Sequence, residues 1–282
     1  MNKIIRKEYF SANVVKFEVE APLIAKARRA GHFVIVRVGA KGERIPLTIA
    51  DSDIERGTIT LVVQQVGVSS AKLCSLNEGD CITDLAGPLG KATHIENFGT
   101  VVCACGGVGT APMLPIVKAL HESGNRVITV LAARSRELII MEEQMRPLSD
   151  ELIIMTDDGS YGNKGLITAG VETVIKREKV DKCVTIGPAV MMKFVSLLTK
   201  QYGIPTIASL NTIMVDGTGM CGACRVTVGG KTRFVCIDGP EFDAHLVDFD
   251  EMMMRLGGYR EIEQADMYKV ESSCKCRQTG AK

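Results

Sequence analysis

The pattern of strands and helices changes near residue 97, and this change constrains the fold more than any other sequence feature. Before it, short β-rich runs such as "NVVKFEVEA" and "GTITLVVQQV" are separated by turn residues, with few long helical periods. After it, buried strands such as "TVVCACG" alternate with helical segments such as "APMLPIVKALHESG". Strands that alternate with helices predict a parallel sheet with helices on both faces.

The sequence therefore predicts three parts. We expect a small β-barrel at residues 1–96, a doubly wound α/β domain with a parallel sheet at residues 97–203, and a small C-terminal segment at residues 204–282. A chain of 282 residues is long enough for two or three domains with separate cores. Within the α/β domain, "RELIIMEEQMRPLS" is predicted as the second helix and "ELIIMT" as the third strand.

Composition and charge exclude several classes of function. The formal net charge is +1 and charges of both signs are mixed along the chain, which argues against a nucleic-acid surface. No basic amphipathic segment indicates a membrane surface, and the uncharged residues 97–117 carry the glycines and prolines of a strand that turns into a helix. The start "MNKIIRKEYF" lacks the apolar stretch of a signal peptide, so we expect a cytoplasmic protein.

The C-terminal segment contains the strongest chemical signal. A plant-type [2Fe–2S] cluster uses the spacing Cys-x4-Cys-x2-Cys and a later cysteine. The segment "DGTGMCGACRVTVGGKTRFVC" has this spacing with aspartate in the first place, and an ionised carboxylate is a workable iron ligand. The predicted metal ligands are Asp216, Cys221, Cys224 and Cys236.

Three alternatives to this cluster remain open at this stage. Zinc can also take three cysteines and one aspartate, although the spacing is a poor match to a zinc ribbon. The site can also be empty. Cys274 or Cys276 can supply a fourth thiolate, and the other interpretation of that pair is two exposed thiols.

Glycine-rich turns predict a nucleotide cleft in the α/β domain. Where the first strand passes into a helix, backbone N–H groups can approach a pyrophosphate, and an ordinary tight turn is the alternative. Two further turns follow predicted strands at the same sheet edge. The candidate residues of the three turns are Gly106, Gly107, Val108, Gly109, Thr110, Asp157, Asp158, Gly159, Gly187 and Pro188.

A short basic loop follows the second strand of this domain. Arg134 and Arg136, with Ser135 between them, suit the 2′-phosphate of a ribose and so favour NADP over NAD. A solvated charged loop explains the same residues equally well.

Two short pieces of the barrel complete a family resemblance. "ERIPLT" and "QVGVSS", with "GHFVIVRV" before them and "GPLG" after the barrel, make the chain resemble the ferredoxin–NADP reductase superfamily. The flavin motif of that superfamily is Arg-x-Tyr-Ser/Thr; Arg44 to Thr48 occupies its place and lacks the usual aromatic residue. The resemblance is closer to the iron–sulfur branch, which includes the electron-transfer subunit of dihydroorotate dehydrogenase and the small subunit of NADH-dependent ferredoxin–NADP oxidoreductase, also described as sulfide dehydrogenase.

The resemblance implies the following roles for particular residues. It implies that FAD is contacted by Arg44, Pro46, Leu47 and Thr48, and that its phosphates lie near Gly67, Ser69 and Ser70. The three glycine-rich turns would then shape the nicotinamide-nucleotide cleft. Aspartate in the first ligand place resembles the ferredoxin–NADP oxidoreductase small subunit more than the dihydroorotate branch, which carries four cysteines.

These parts predict an NAD(P)H-dependent oxidoreductase subunit. A nicotinamide gives up two electrons as hydride and a cluster passes one at a time, whereas a flavin does both. We expect a heteromeric complex with a larger flavoprotein and iron–sulfur subunit, with ferredoxin as an indirect partner and with neither nucleic acid nor membrane. The alternatives are an electron-transfer subunit that serves dihydroorotate oxidation with NAD, and a redox sensor without enzymatic activity.

Overall fold

The computed structural model describes residues 2–259 and 261–267. In these ranges the chain forms two seven-stranded sheets and one two-stranded hairpin. Cys274 and Cys276 lie outside the described residues, so the expectations for that pair stay predictions.

The N-terminal part is an antiparallel barrel. Its strands are β1 (Asn2–Ser11), β2 (Val14–Glu20), β3 (Phe33–Arg37), β4 (Arg44–Asp53), β5 (Thr58–Gln64), β6 (Cys81–Ile82) and β7 (Asp84–Leu89), with two short helices, α1 (Pro22–Ala27) and α2 (Val68–Cys74). The strands lie in the order β6-β1-β2-β5-β4-β3-β7. Only Thr83 separates the two edge strands along the chain, so the sheet nearly closes on itself and the predicted barrel is confirmed.

Alternation along the strands forms the core of the barrel. In β2, Val15, Phe17 and Val19 are buried in one cluster, whereas Lys16 and Glu18 lie on the other face and form ion pairs. Because successive side chains of a strand point to opposite faces, this pattern packs one face into the barrel core and keeps the charged side chains on the outer face.

The second part is a doubly wound α/β domain. From Thr100 onward the strands are β8 (Thr100–Gly106), β9 (Arg126–Ala133), β10 (Glu151–Thr156), β11 (Asn163–Lys164), β12 (Lys182–Ile186), β13 (Thr206–Ser209), β14 (Arg225–Val228), β15 (Lys231–Phe234) and β16 (Glu241–Asp243). The helices are α3 (Thr110–Glu122), α4 (Glu142–Met145), α5 (Ile167–Arg177), α6 (Ala189–Gln201), α7 (Val235–Asp238) and α8 (Phe249–Gly257).

The large sheet of this domain has the order β11-β10-β9-β8-β12-β13-β16. All its pairs are parallel except β13 with β16. Helix α3 packs on one face, and helices α5 and α6 pack on the other. The predicted parallel sheet with helices on both faces is therefore confirmed, with its topological switch between β8 and β12.

The helix predicted over residues 136–149 is wrong. Only α4 is α-helical there, between 3-10 turns at Arg136–Leu138 and Arg146–Leu148. Met141 has a φ of 58°, which breaks any continuous helix at that residue. Pro147 also lacks the N–H that a longer helix would need.

The cysteine segment is attached to both larger parts. Strand β16 extends the large sheet through its pairing with β13, and β14 and β15 form a separate hairpin. The large sheet thus includes β13 beyond residue 203, and the domain division at residues 96 and 203 stays a prediction. None of the helices within the described residues is long and apolar enough to cross a membrane.

Candidate metal centre and nucleotide cleft

The four predicted metal ligands lie in two pairs. The Sγ of Cys221 is 2.9 Å from Oδ1 of Asp216, and the Sγ of Cys224 is 3.2 Å from the Sγ of Cys236. Among residues 2–259 and 261–267, no three or more His, Cys, Asp or Glu side chains are grouped to hold a single metal ion. Two pairs suit a cluster with two irons, because each iron then takes two protein ligands, whereas zinc needs all its ligands around one point.

The Asp216 carboxylate is held by the loop that follows it. Its Oδ2 accepts hydrogen bonds from the hydroxyl of Thr218 at 2.8 Å and from the backbone N–H of Met220 at 3.0 Å. The hydrogen bond from Cys221, and then that from Thr218, hold the pKa of Asp216 well below its ordinary value. The carboxylate is therefore ionised and oriented, as a hard ligand for iron has to be.

The second pair is buried. Cys224 and Cys236 are 2% and 1% exposed. The backbone N–H of Cys236 points at the Sγ of Cys224, 3.4 Å away. Burial, and then the hydrogen bond with Cys224, raise the pKa of Cys236 to about 12. A thiolate at this place thus needs a metal ion to stabilise it, and metal binding releases the proton.

The ligand loop lies directly on the barrel. Gly217 has a φ of 78°, and a Cβ there would lie 2.7 Å from Cγ1 of Ile35 and 2.8 Å from Cδ1 of Leu89. The positive φ and this close approach both favour glycine here. Ile35 is the register partner of Pro46 on β4, and paired strands lie ~4.8 Å apart. The predicted flavin motif is therefore one strand away from the loop that carries Asp216.

Arg44 joins the flavin motif to the same loop. Its Nε donates to the carbonyl of Val215 at 2.7 Å, and its Nη2 donates to the carbonyl of Asp216 at 3.3 Å. Leu47 and Thr48 follow on β4, where both are half-buried. Sequence reasoning missed this bond to the cluster loop, because the partners are 171 residues apart and no local motif marks them.

The second predicted flavin piece is a tight turn before α2. The Ser70 hydroxyl accepts the backbone N–H of Gly67 at 2.9 Å and donates to its carbonyl at 2.9 Å, while Ser69 donates to Glu43. The space next to the Cα of Gly67 is open, because no atom lies within 4 Å of the place that a Cβ would take. The turn can therefore approach a phosphate through its backbone, and its hydroxyl groups already have partners inside the chain.

Two of the predicted nucleotide turns lie side by side. A Cβ on Gly109 would lie 2.6 Å from the carbonyl oxygen of Ile186, and one on Gly187 would lie 3.2 Å from that of Gly106. These turns end β8 and β12 at the switch point of the sheet, where open α/β sheets bind ligands. Gly107 has open space beside it, so a phosphate can reach the backbone at the start of α3.

The third turn meets the basic loop. The backbone N–H of Asp158 donates to the carbonyl of Arg134 at 3.2 Å, and that of Arg136 donates to the Ser160 hydroxyl at 2.9 Å. The Arg136 guanidinium lies 5.1 Å from the ring centre of Tyr161. The structure therefore brings residues 134–136 and 157–159 together. Sequence reasoning missed the contact of Tyr161 with Arg136. The only signal in the sequence was that an aromatic residue follows the glycine turn.

Comparisons with known proteins agree with this arrangement. The model of the oxidoreductase FAD-binding domain matches residues 2–94, and that of the iron–sulfur cluster binding domain of dihydroorotate dehydrogenase B matches residues 211–248. A chain from a structure of NADH-dependent reduced ferredoxin-NADP oxidoreductase, solved to study flavin-based electron bifurcation, is 45% identical. It superimposes with a TM-score of 0.92 and covers 96% of this chain and 98% of its own.

Two relatives carry the same family name. A homologue of the electron transfer subunit of dihydroorotate dehydrogenase B (NAD(+)) from Thermotoga maritima is 47% identical over 264 residues, 94% of this chain and 93% of that protein. A probable electron transfer subunit of the same enzyme from Methanocaldococcus jannaschii is 39% identical over 181 residues, 64% of this chain and 68% of that protein. The chain with its FAD-binding and iron–sulfur cluster binding domains therefore belongs to the family of dihydroorotate dehydrogenase B electron transfer subunits and their homologues.

Proposed function

We propose that the chain moves electrons between NAD(P)H, FAD and a [2Fe–2S] cluster and exchanges them with a larger flavoprotein subunit. The observation that carries this proposal is the contact of the Asp216 loop with β3, which pairs with β4, the strand that carries the predicted flavin motif. A short separation between flavin and cluster is the requirement for electron transfer between them. FAD accepts hydride from a nicotinamide and releases single electrons, which is the chemistry that a cluster cannot supply alone.

The residues of the chain act by binding and orientation. Asp216 and Cys221 would hold one iron, and Cys224 and Cys236 the other. Arg44 fixes the backbone at residues 215–216 through two hydrogen bonds, so the cluster loop cannot shift relative to β4 without breaking them. The resemblance of the motif also assigns this guanidinium to FAD, and Pro46, Leu47, Thr48, Gly67, Ser69 and Ser70 complete the proposed flavin site.

The nucleotide would bind at the carboxyl ends of β8, β9, β10 and β12. The turns at 106–110 and 187–188 would receive the pyrophosphate and nicotinamide part, because they lie side by side at the switch point and the backbone is open at Gly107. Residues 134–136 lie with residues 157–159 at the neighbouring strand ends. Arg134 and Arg136 are exposed there, and two guanidinium groups favour the 2′-phosphate of NADP over NAD.

The partner would dock over the cluster loop. Three apolar side chains next to metal-ligand positions are exposed: Met220 by 89%, Val215 by 46% and Ile237 by 43%. Exposed apolar groups that cluster on a surface mark interaction sites. The family name describes electron transfer subunits, and that name supports a larger partner. Ferredoxin would exchange electrons with the partner and not with this chain, and we place the complex in the cytoplasm.

A second candidate function is electron transfer from dihydroorotate oxidation to NAD. The name of the Thermotoga maritima relative favours it. Aspartate in place of the first cysteine favours the ferredoxin–NADP oxidoreductase type instead, since the resemblance gives the dihydroorotate branch four cysteines. A complex purified through this chain distinguishes the two, because it oxidises dihydroorotate in one case and reduces ferredoxin in the other.

Spectroscopy of the protein purified without oxygen tests the main proposal. We expect the visible and electron paramagnetic resonance spectra to show flavin and a [2Fe–2S] cluster, both reduced by NADPH more readily than by NADH. Rapid bleaching of the flavin by NADPH also excludes a purely sensory protein. Stoichiometric zinc, or the absence of inorganic sulfide, would contradict the proposal.

A further inference from the structure

A pocket with no role in the proposed electron path lies at the amino end of β12. We propose that this pocket binds a small organic carboxylate with a short apolar body. It is enclosed by residues 91–98, which connect the barrel to the α/β domain, by strands β12 and β13, and by residues 238–241. Its volume is about 200 Å³. Its lining includes Thr93, Phe98, Lys182, Val184, Ile207 and Glu241.

The pocket is separate from the nucleotide cleft. Lys182 is the first residue of β12, and the glycine turn at Gly187 follows the last. Five residues of extended strand span roughly 16 Å. A ligand at Lys182 therefore lies toward the opposite end of the sheet from the nucleotide turns.

The ammonium group of Lys182 is the main reason to expect an anion. Its Nζ lies 3.6 Å from the ring centre of Phe98, and the side chain is half-buried. Burial lowers the pKa of Lys182. In the part of the chain that the structure describes, no carboxylate oxygen lies within salt-bridge distance of Nζ and no group accepts a hydrogen bond from it. Its three donors are therefore available to a bound oxygen anion.

The acidic groups of the pocket already have donors. The Glu241 Oε1 accepts a hydrogen bond of 2.5 Å from the hydroxyl of Thr93, and Asp238 accepts one of 2.8 Å from the backbone N–H of Phe234. The carboxylates of Glu96 and Glu241 attract the Lys182 ammonium electrostatically, but neither accepts a hydrogen bond from its Nζ. Because the carboxylates near the site repel a dianion such as phosphate more strongly than a monoanion, the charge distribution favours a ligand with a single negative charge.

The other walls of the pocket select an apolar body. Val184 and Ile207 are register partners on β12 and β13, so their side chains lie next to each other on one face of the sheet. Phe98 and Leu120 line the pocket as well. A volume of about 200 Å³ is below the ~300–1,000 Å³ of pockets for drug-sized ligands, which limits the ligand to a few carbons.

Equilibrium dialysis of the full-length, cofactor-loaded protein against radiolabelled butyrate tests the proposal. We expect saturable binding of butyrate and none of butyramide, which has the same shape without the charge. Lys182→Met should weaken butyrate binding by tenfold or more, and Lys182→Arg should retain it. Lys179→Met is the matched control, because Lys179 is exposed and pairs with Asp181 outside the pocket.

A second measurement needs no variant. Butyrate should protect Lys182 from reductive methylation, read by mass spectrometry, whereas labelling of Lys179 should not change. Equal labelling of Lys182 with and without butyrate overturns the proposal, as does butyrate binding that survives Lys182→Met. Absence of saturable binding for acetate, butyrate, hexanoate and benzoate alike overturns it too.

Discussion

The loop that carries Asp216 packs on the barrel through Gly217. This contact predicts that Gly217→Ala destabilises the protein far more than an ordinary glycine replacement does. A new Cβ at this position meets Cγ1 of Ile35 at 2.7 Å and Cδ1 of Leu89 at 2.8 Å. Both carbons belong to side chains on strands of the barrel, so relief of the clash requires the loop to lift away from β3 or these two side chains to shift. Because Asp216 is the preceding residue, we expect the first metal ligand to shift with the loop.

The magnitude follows from two separate costs. An alanine with a φ of 78° costs about 1–2 kcal/mol from the backbone alone. Insertion of a methyl group into a packed contact costs about 1–3 kcal/mol more. Gly230→Ala is the matched control, because Gly230 has a φ of 71° with no atom within 4 Å of a Cβ, so it meets only the first cost.

The assay is thermal unfolding of both cofactor-loaded variants under identical anaerobic conditions, with cluster and flavin absorbance followed separately. A difference of about 1–3 kcal/mol corresponds to a difference in apparent Tm of roughly 2–12 °C for a protein of this size. We expect Gly217→Ala to unfold at the lower temperature and to contain less cluster per chain. Equal Tm values and equal cluster content for the two variants would refute the packing of this loop on the barrel.

Three further variants test the site. Asp216→Ala should abolish the cluster signal and leave flavin content unchanged, because the carboxylate is proposed to bind iron and not flavin. The control is Asp53→Ala at the far end of β4, which should leave both signals intact. Arg44→Ala removes charge-assisted hydrogen bonds worth about 1.5–3 kcal/mol each, so loss of the cluster to a chelator should be about tenfold faster or more, and flavin content should fall as well. Loss of flavin alone would contradict the contact between Arg44 and the cluster loop. Arg136→Ala should raise KM for NADPH about tenfold with little change for NADH, since a single charge-assisted bond to phosphate accounts for that factor; a parallel rise for NADH would argue against recognition of the 2′-phosphate.

Periodicity was sufficient to predict the regular parts of the fold. The predicted strands "TVVCACG" and "RVITVLAA" are β8 and β9. A short, continuous apolar run bounded by turn residues is typical of a buried strand, so these two predictions needed no tertiary information. The segment around α4 failed for a local reason, since the left-handed Met141 interrupts a helical pattern that the residue types alone support.

The site divides in the same way. The spacing of the three cysteines and Asp216 is local, so the sequence alone indicated a metal centre, and the structure groups these residues in pairs. The contacts that position the loop come from Arg44, Ile35 and Leu89, which belong to a different part of the chain. Contacts over such separations depend on how the sheets assemble, and no short motif records them.

Strand β16 has a consequence for how other proteins can recognise this chain. By pairing with β13 it occupies one border of the large sheet, and the opposite border is the two-residue strand β11. A row of free backbone N–H and C=O groups long enough to accept a foreign strand is therefore lacking at both borders within the described residues. A protein that docks at either border of the large sheet therefore cannot add a strand to it. Its recognition depends on the shape and charge of surface side chains and not on backbone hydrogen bonds.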